Sequence, residues 1–563
     1  MTPSKSSSNT RNARQSDSEL KKTKPHKPAA GRDLKVVGFS DQTGAKWIEI
    51  AEGVVIASAR LDLLNGEPST FYKDVSQQGV VVVSQATKAK LAQLVEAIRE
   101  WPQTRYIAER PGFHAGVFVK PDGTVIGKPT VPDFYVHLDP ETRVPLAQAG
   151  SLEAWQKAVR RFVRGQPIPI LSVCLGFTGP ILSLTEFKEN IGFELWGGSS
   201  TGKSTMLDLL ASVSGAPLGV AGSLATTWLN TGMTIQVLMA ARSGLSLALD
   251  EGGHLGSDAE GASGQLSSAV HFLGAGVTKG RKGIAGESGV AVSWLSTSNK
   301  PLAEIVGKRS ADPTALAVRL INIFTGKEKT MGVWATLPKG ALTTGDASNQ
   351  LKAALRANHG WAIDLFLNRL VKAIQNDEDE LKASIARHVA RFLKKAAVGG
   401  QDGPDLRVAQ KFAVVYAAGR LASDWDILPV NNLWESLLKC FRQWQAAQLP
   451  TTGNNPTAHE RVLAYADTNA ADLFDLDAYL APPLTARAMD THAGFLKTVK
   501  TRRCLLIRPA RWEAIFGQDA FNMLTELKKA GLLLFNDGRQ YNTKIRKSRT
   551  MNKVYAVVLK PPI

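Results

Sequence analysis

Cysteine is scarce. Cys174, Cys440 and Cys504 are the only three in 563 residues, and they lie far apart. They make neither a disulfide framework nor a zinc-type pair, so a reducing cytoplasm, bacterial in the reading reached below, is the expected compartment. Acidic residues are short too. Asp and Glu total 50 against 68 Lys and Arg, a formal charge of +18. That excess favours polyanionic partners and says nothing of the fold. Residues 2–31 lack the apolar core of a secretion signal. They are rich in Ser, Lys, Asn and Pro, so 1–33 is expected to be a disordered basic tail. The one apolar run of membrane-spanning length, Pro167–Leu184, is broken by Pro169, Gly176, Gly179 and Pro180. A buried segment is expected there, and no membrane partner. No repeat is seen at a period of about 20–50 residues, nor a primase-type or nuclease-type metal cluster. What remains is 44% hydrophobic and 21% charged, the composition of a folded protein of several domains.

Residues 34–150 alternate short apolar runs with turn signals and read as an N-terminal α/β domain. Val36–Phe39, Val54–Ala57 and Gly79–Val83 are expected strands, Lys88–Trp101 a helix, and Pro121-Asp122-Gly123 a hairpin turn. Residues 190–325 alternate strand-like and helix-like segments, the pattern of an α/β nucleotide-binding core, expected to occupy 151–360. Residues 361–450 read as helical, with candidates at Trp361–Gln375, Glu380–Ala396, Arg407–Ala422 and Leu433–Gln448. A linker at Thr451–Pro456 opens a last domain, 451–563.

The strongest motif is Gly197-Gly198-Ser199-Ser200-Thr201-Gly202-Lys203-Ser204, followed by Thr205. It fits G-x4-G-K-[ST] between a strand-like GFELW and a helix-like segment. Glycines let backbone N–H groups wrap a phosphate, and the helix N-terminus adds positive potential. Lys203 would reach the β- and γ-phosphates of ATP, and Ser204 would hold Mg2+. The next strand-like run, LSLALDE, ends in Asp250 and Glu251. Asp250 would bind the metal, and Glu251 would polarise the attacking water as a general base. His254 reads as a loop histidine.

Val290–Leu295 runs into Ser296-Thr297-Ser298-Asn299. A polar residue at such a strand end can sense the γ-phosphate. Asn299 is the first choice and Thr297 the second, with ordinary turn polarity as the alternative. Between these strands, Gly274–Gly283 carries Lys279, Arg281 and Lys282 among glycines, a basic loop suited to a nucleic-acid backbone or to solvent. Arg319 stands alone in an apolar run and needs an anion. A neighbouring subunit's γ-phosphate would make it an arginine finger. Arg309 is the other candidate, and an internal ion pair or same-subunit phosphate contact the alternative.

Near the C-terminus a helix is expected over Gln518–Ala530, ended by Gly531, then strands at Leu532–Phe535 and Val554–Leu559. That is how a winged helix ends. Lys528, Lys529, Arg539, Lys544, Arg546, Lys547, Arg549 and Lys553 face one acid, Asp537. Such a surface gains nonspecific DNA affinity by neutralising phosphates, or it docks a protein.

GGSSTGKST, LALDEGG, TKGRKG, SWLST and AVRLINI, with RPGFHAGVFV upstream and NHGW downstream, resemble in order the domain-of-unknown-function 927 family. Its members are helicase-like P-loop proteins of phages, plasmids and genomic islands. The resemblance runs over roughly residues 35–450. It implies a P-loop ATPase core of ring-ATPase or superfamily III helicase type, hexameric on DNA, with ATP and Mg2+ as cofactors. One departure is Ser296-Thr297-Ser298-Asn299, where the family tends to end its third strand in Ser-Thr-Gly-Glu. The expected function is an ATP-dependent DNA helicase or translocase for replication of a mobile element, with a primase or another replication protein as a further partner. The alternatives are an ATPase that loads or switches another protein on DNA, and an origin-binding factor whose assembly ATP controls.

Overall fold

The computed structural model describes residues 33–559, apart from 104, 140–142, 188, 224, 229–231, 251–268, 277–288, 303–317, 328–329, 398–402, 448–456, 479–491, 500, 517–519 and 535–553. The chain forms two compact units, residues 1–444 and 445–563.

The first unit opens with an antiparallel sheet of β1 (Leu34–Ser40), β2 (Lys46–Glu52) and β3 (Val55–Arg60). It is backed by α1 (Leu61–Gly66), α2 (Pro68–Gln77) and α3 (Gln85–Glu96). The valine run 79–83 is not a strand, contrary to the sequence reading. Its Val80 and Val82 are buried, but the facing edge of β3 is closed at Ser58 by the amide of Gln78, which both accepts from and donates to that backbone. Helix α3 stops at Glu96, five residues short of Trp101, and starts on the hydroxyl cap of Ser84. Short strands follow: β4 (Tyr106–Ala108) and β8 (Phe134–Val136) pair, and β5 (Gly112–His114), β6 (Val117–Val119) and β7 (Val125–Ile126) form a meander. The turn at Pro121–Gly123 falls where it was expected, with Gly123 at φ 89°.

Helix α4 (Leu152–Phe162) leads into α5 (Pro167–Gly176) and α6 (Thr178–Ile181). These take up the apolar run as two pieces bent by 55°. No single helix among the described residues is long and apolar enough to cross a membrane. The run is buried against α7 (Lys203–Ser214) instead.

Around α7 stands a parallel sheet. Its strands are β9 (Ile191–Trp196), β10 (Ala225–Thr227), β11 (Ser246–Asp250), β12 (Ser293–Ser298) and β13 (Leu320–Phe324), in the order β10-β11-β12-β9-β13. Both faces are covered. Phe193, Leu195, Ala248, Leu295, Ile321 and Ile323 point into one core, whereas Leu247, Leu249, Trp294 and Leu320 join a second with α8 (Gly232–Ala241). The period of two explains why these strands read as continuous apolar runs.

The helical layer holds α9 (Thr344–Ala357), α10 (Trp361–Ala396), α11 (Pro404–Asp424) and α12 (Leu433–Ala447). Helix α10 breaks at Asp377, whose φ of −164° and ψ of 96° are not helical. That break separates the two helices expected from the sequence.

In the second unit, α13 (Ala458–Thr468) starts on a capping box of Thr457 and Glu460. Strands β14 (Leu473–Asp475), β15 (Gly494–Val499) and β16 (Arg502–Ile507) precede α14 (Pro509–Phe516) and α15 (Ala520–Lys529). Strands β17 (Leu533–Leu534) and β18 (Tyr555–Val558) complete a sheet of order β14-β15-β16-β18-β17. The sequence reading had only the last helix and its two strands. It missed β14, β15 and β16, which make the sheet five-stranded. The tail at 1–32 and the linker at 451–456 lie outside the described residues.

Gly192 on β9 tests the packing of the main sheet. A Cβ there would lie 2.0 Å from the ring of Trp294, which is wholly buried. Gly192→Ala should cost about 1–3 kcal/mol through overpacking, read as a lower urea midpoint. Gly66→Ala, with no atom within 4 Å of the added carbon, should leave the midpoint within about 0.5 kcal/mol of wild type.

Candidate functional site

Because the five strands are parallel, their C-terminal ends share one edge. The glycine loop 197–202 leaves β9 at that edge and enters α7. Its start is tied on both sides: Gly197 N–H donates to Ser298 O at 3.3 Å, and Gly198 N–H donates to Gly326 O at 2.9 Å. Gly197 has φ 148°, and a Cβ on it would lie 2.5 Å from Gly326 O. No other residue fits there. Gly202, at φ 90°, turns the chain into α7. The Thr201 hydroxyl lies 3.0 Å from that of Thr325, and Val333 N–H donates to Thr201 O at 2.9 Å.

Lys203, the first residue of α7, is buried and turned back into the loop. Its Nζ donates to Gly197 O at 2.9 Å, Gly198 O at 2.7 Å and Asn299 Oδ1 at 3.2 Å. Burial pushes its ammonium below the ordinary lysine value, and the carboxylate of Asp250 opposes that shift. Asp250 ends β11, is buried, and accepts a short hydrogen bond from the Thr297 hydroxyl. Ser204 is half-buried in the first turn of α7, while Ser199 and Ser200 are exposed and Thr205 is buried. Asn299 is exposed, one residue past β12. Lys203, Asp250, Thr297 and Asn299 therefore meet at one strand edge, with the N-terminus of α7 beside them.

Other expected site residues lie elsewhere. Arg319 is half-buried, one residue before β13 begins, not within the strand. It stands at the sheet end opposite the glycine loop, its stem over Gly274. That position counts against the same-subunit phosphate contact left open above. Glu251, His254, Arg309 and the basic residues Lys279, Arg281, Lys282, Lys544, Arg546, Lys547 and Arg549 lie outside the described residues.

Sequence reasoning missed three groups. Thr325 and Gly326 close the far side of the loop; a Thr-Gly directly after a buried strand was the available signal. Glu194, in the middle of β9, is fully buried and accepts from Ser298 Oγ at 2.5 Å and from Leu302 N–H at 3.0 Å. Lys411 on α11 is fully buried. It donates to Val318 O at 2.9 Å and pairs with Glu189 at 3.2 Å.

An open parallel sheet with a polar cluster at its carboxyl edge is an α/β helicase-like fold. The solved structure of SCCmec type IV Cch, an active helicase, shares it with a TM-score of 0.52 at 18% identity, over 93% of this chain and 93% of that one. At that identity the likeness is one of fold. The family model of a domain of unknown function, DUF927, matches residues 49–289. The match ends before Ser293, so SWLST, AVRLINI and NHGW, on which the resemblance also rested, lie beyond it. No curated protein matches the chain.

Lys411 carries a pH signature. Burial pushes its ammonium down to about 8 from the ordinary 10.5, outweighing the attraction of Glu189. Between those values the unfolded chain binds more protons than the folded one, so stability rises with pH across the window and is flat below it. Urea midpoints at pH 7.5, 9 and 10 should therefore rise for wild type relative to Lys411→Met. Parallel profiles for the two proteins would show that Lys411 keeps its ordinary proton affinity.

Proposed function

We propose that this chain is an ATP-dependent DNA helicase or translocase, working as a homo-hexameric ring in the replication of a bacterial phage or other mobile element. The observation that supports this best is the cluster of Lys203, Asp250, Thr297 and Asn299 beside a glycine loop at the carboxyl edge of a parallel sheet. The SCCmec protein that shares the fold is an active helicase.

In this reading residues 197–205 form a P-loop. Their N–H groups and the Lys203 ammonium take up the β- and γ-phosphates, in competition with the carbonyls that now hold Lys203. The donor set fits Mg2+: a carboxylate held in place by Thr297 and a hydroxyl in the first turn of α7. Asp250 and Ser204 would hold the ion, which when bound neutralises phosphate charge. Glu251 follows Asp250 and takes a proton from the attacking water. Asn299, already on Lys203, senses the γ-phosphate; Thr297 reaches it only through Asp250. Arg319, at the opposite sheet end, acts on a neighbouring subunit's nucleotide. Lys279, Arg281 and Lys282 grip the DNA backbone. The second unit, a winged-helix-type module, adds affinity through Lys544, Arg546, Lys547 and Arg549. A primase or another replication protein is a further partner.

The test is strand displacement on a forked duplex with ATP, beside DNA-stimulated hydrolysis. Wild type should do both. Lys203→Ala should lose hydrolysis by about a hundredfold or more without a change in urea midpoint. Glu251→Gln should keep nucleotide binding and lose turnover. Hydrolysis without displacement would shift the assignment to an ATPase that loads or switches another protein on DNA.

Arg319→Ala should be inactive alone and partly rescued by mixing with Lys203→Ala, since mixed interfaces then join an intact phosphate loop to an intact arginine. Normal assembly with no rescue at any ratio would assign Arg319 a role within its own subunit.

A further inference from the structure

Beside the glycine loop lies a cavity that the phosphate-site reading leaves unassigned. The segment after β13 is laid along the loop: Gly326 O holds Gly198 N–H, Thr325 meets Thr201, and Val333 N–H binds Thr201 O. On the outer side of this segment is a cavity of about 380 Å3, within the range of small-molecule sites. Ile168, Phe324, Met331 and Val333 give it apolar walls, and Lys439 and Gln443 of α12 give it polar ones. Met331 is 42% exposed, unusual for a large apolar side chain beside so many buried neighbours. Gln443 donates its Nε2 to Phe324 O at 2.6 Å. An amide held through its nitrogen keeps its oxygen as an acceptor.

We propose that this cavity takes the adenosine of the nucleotide whose phosphates the 197–205 loop binds, an inference that rests on the phosphate-site reading. The base lies against the wall of Ile168, Phe324, Met331 and Val333. Its exocyclic amino group donates to the Gln443 oxygen. Guanine presents a carbonyl oxygen at the equivalent ring position, which that acceptor cannot bond, so adenine is favoured over guanine.

The test is calorimetric binding of three probes to the full chain with Mg2+: adenylyl imidodiphosphate, guanylyl imidodiphosphate and inorganic tripolyphosphate. Wild type should bind the adenylyl probe about tenfold or more tighter than either of the others. Met331→Trp, which fills the cavity from an exposed position, should weaken the adenylyl probe about tenfold and leave tripolyphosphate unchanged. Unchanged tripolyphosphate binding also shows that the variant is folded. Gln443→Ala should bring the adenylyl and guanylyl affinities together. Equal wild-type affinities for the adenylyl probe and tripolyphosphate would overturn the cavity assignment and leave the phosphate site standing. So would a Met331→Trp protein whose ratio is unchanged or whose two affinities fall together. An unchanged adenylyl-to-guanylyl ratio in Gln443→Ala would overturn the amino-group contact. Wild type that binds none of the three would overturn the phosphate-site reading and this inference with it.

Discussion

The parallel ladder of β12, β9 and β13 fixes almost everything else in the first unit. With β9 between the other two, the chain leaving it is met by a backbone carbonyl from either side, Ser298 O and Gly326 O. Those two acceptors set the entry of the glycine loop before any side chain acts. The approach is so close that Gly197 has no room for a Cβ. The ladder also brings the end of β11 to the same edge, through β12, so that Asp250 comes within hydrogen-bonding reach of Thr297.

Burying charge at that edge is costly unless each group is paired. Three solutions are visible. Glu194, inside the central strand, takes a hydroxyl from Ser298 at the end of β12 and a backbone N–H from Leu302 beyond it, so its carboxylate ties the strand end to the chain that follows. Asp250 is held by Thr297. Lys203 has no carboxylate within hydrogen-bonding distance among its described contacts; its ammonium sits among two carbonyls and an amide oxygen, all neutral. The Asp250 carboxylate at the same edge acts on that ammonium through space and offsets part of the cost of its burial.

The glycine motif, the acid-ended strand and the polar end of β12 were legible in the sequence, because each is a local pattern. The motif needs its own glycines, and the strands buried on both faces need unbroken apolar runs. The α10 break at Asp377 was legible too, because the polar run Asn376-Asp377-Glu378-Asp379 separates two segments with apolar residues at helical spacing. Strand β2 was not, although its Trp47, Ile48 and Ile50 are buried; Lys46, Glu49 and Glu52 interrupt the pattern. The valine run 79–83 misled, because β-branched residues describe a fit to a half-buried surface and not the presence of a partner edge. Lys411 and Gln443 were invisible. A lysine and a glutamine on helices carry no sign of burial or of the strand they touch. Their role comes from packing α11 and α12 against β13, across sequence separations of 93 and 119 residues.

That packing gives β13 a particular mechanical position. The strand is five residues long, about 17 Å at ~3.3 Å per residue. One end runs into Thr325 and Gly326, which hold the glycine loop. The other begins after Val318 and Arg319, where the buried Lys411 grips Val318 O and Glu189 holds Lys411 in turn. Every residue between is paired with β9. A strand bonded along its whole length shifts as a unit or not at all, because sliding part of it would leave buried N–H and C=O groups unpaired. The backbone from Val318 to Gly326 is thus one continuously bonded segment, anchored at its start by Lys411 and tied at its end to the glycine loop.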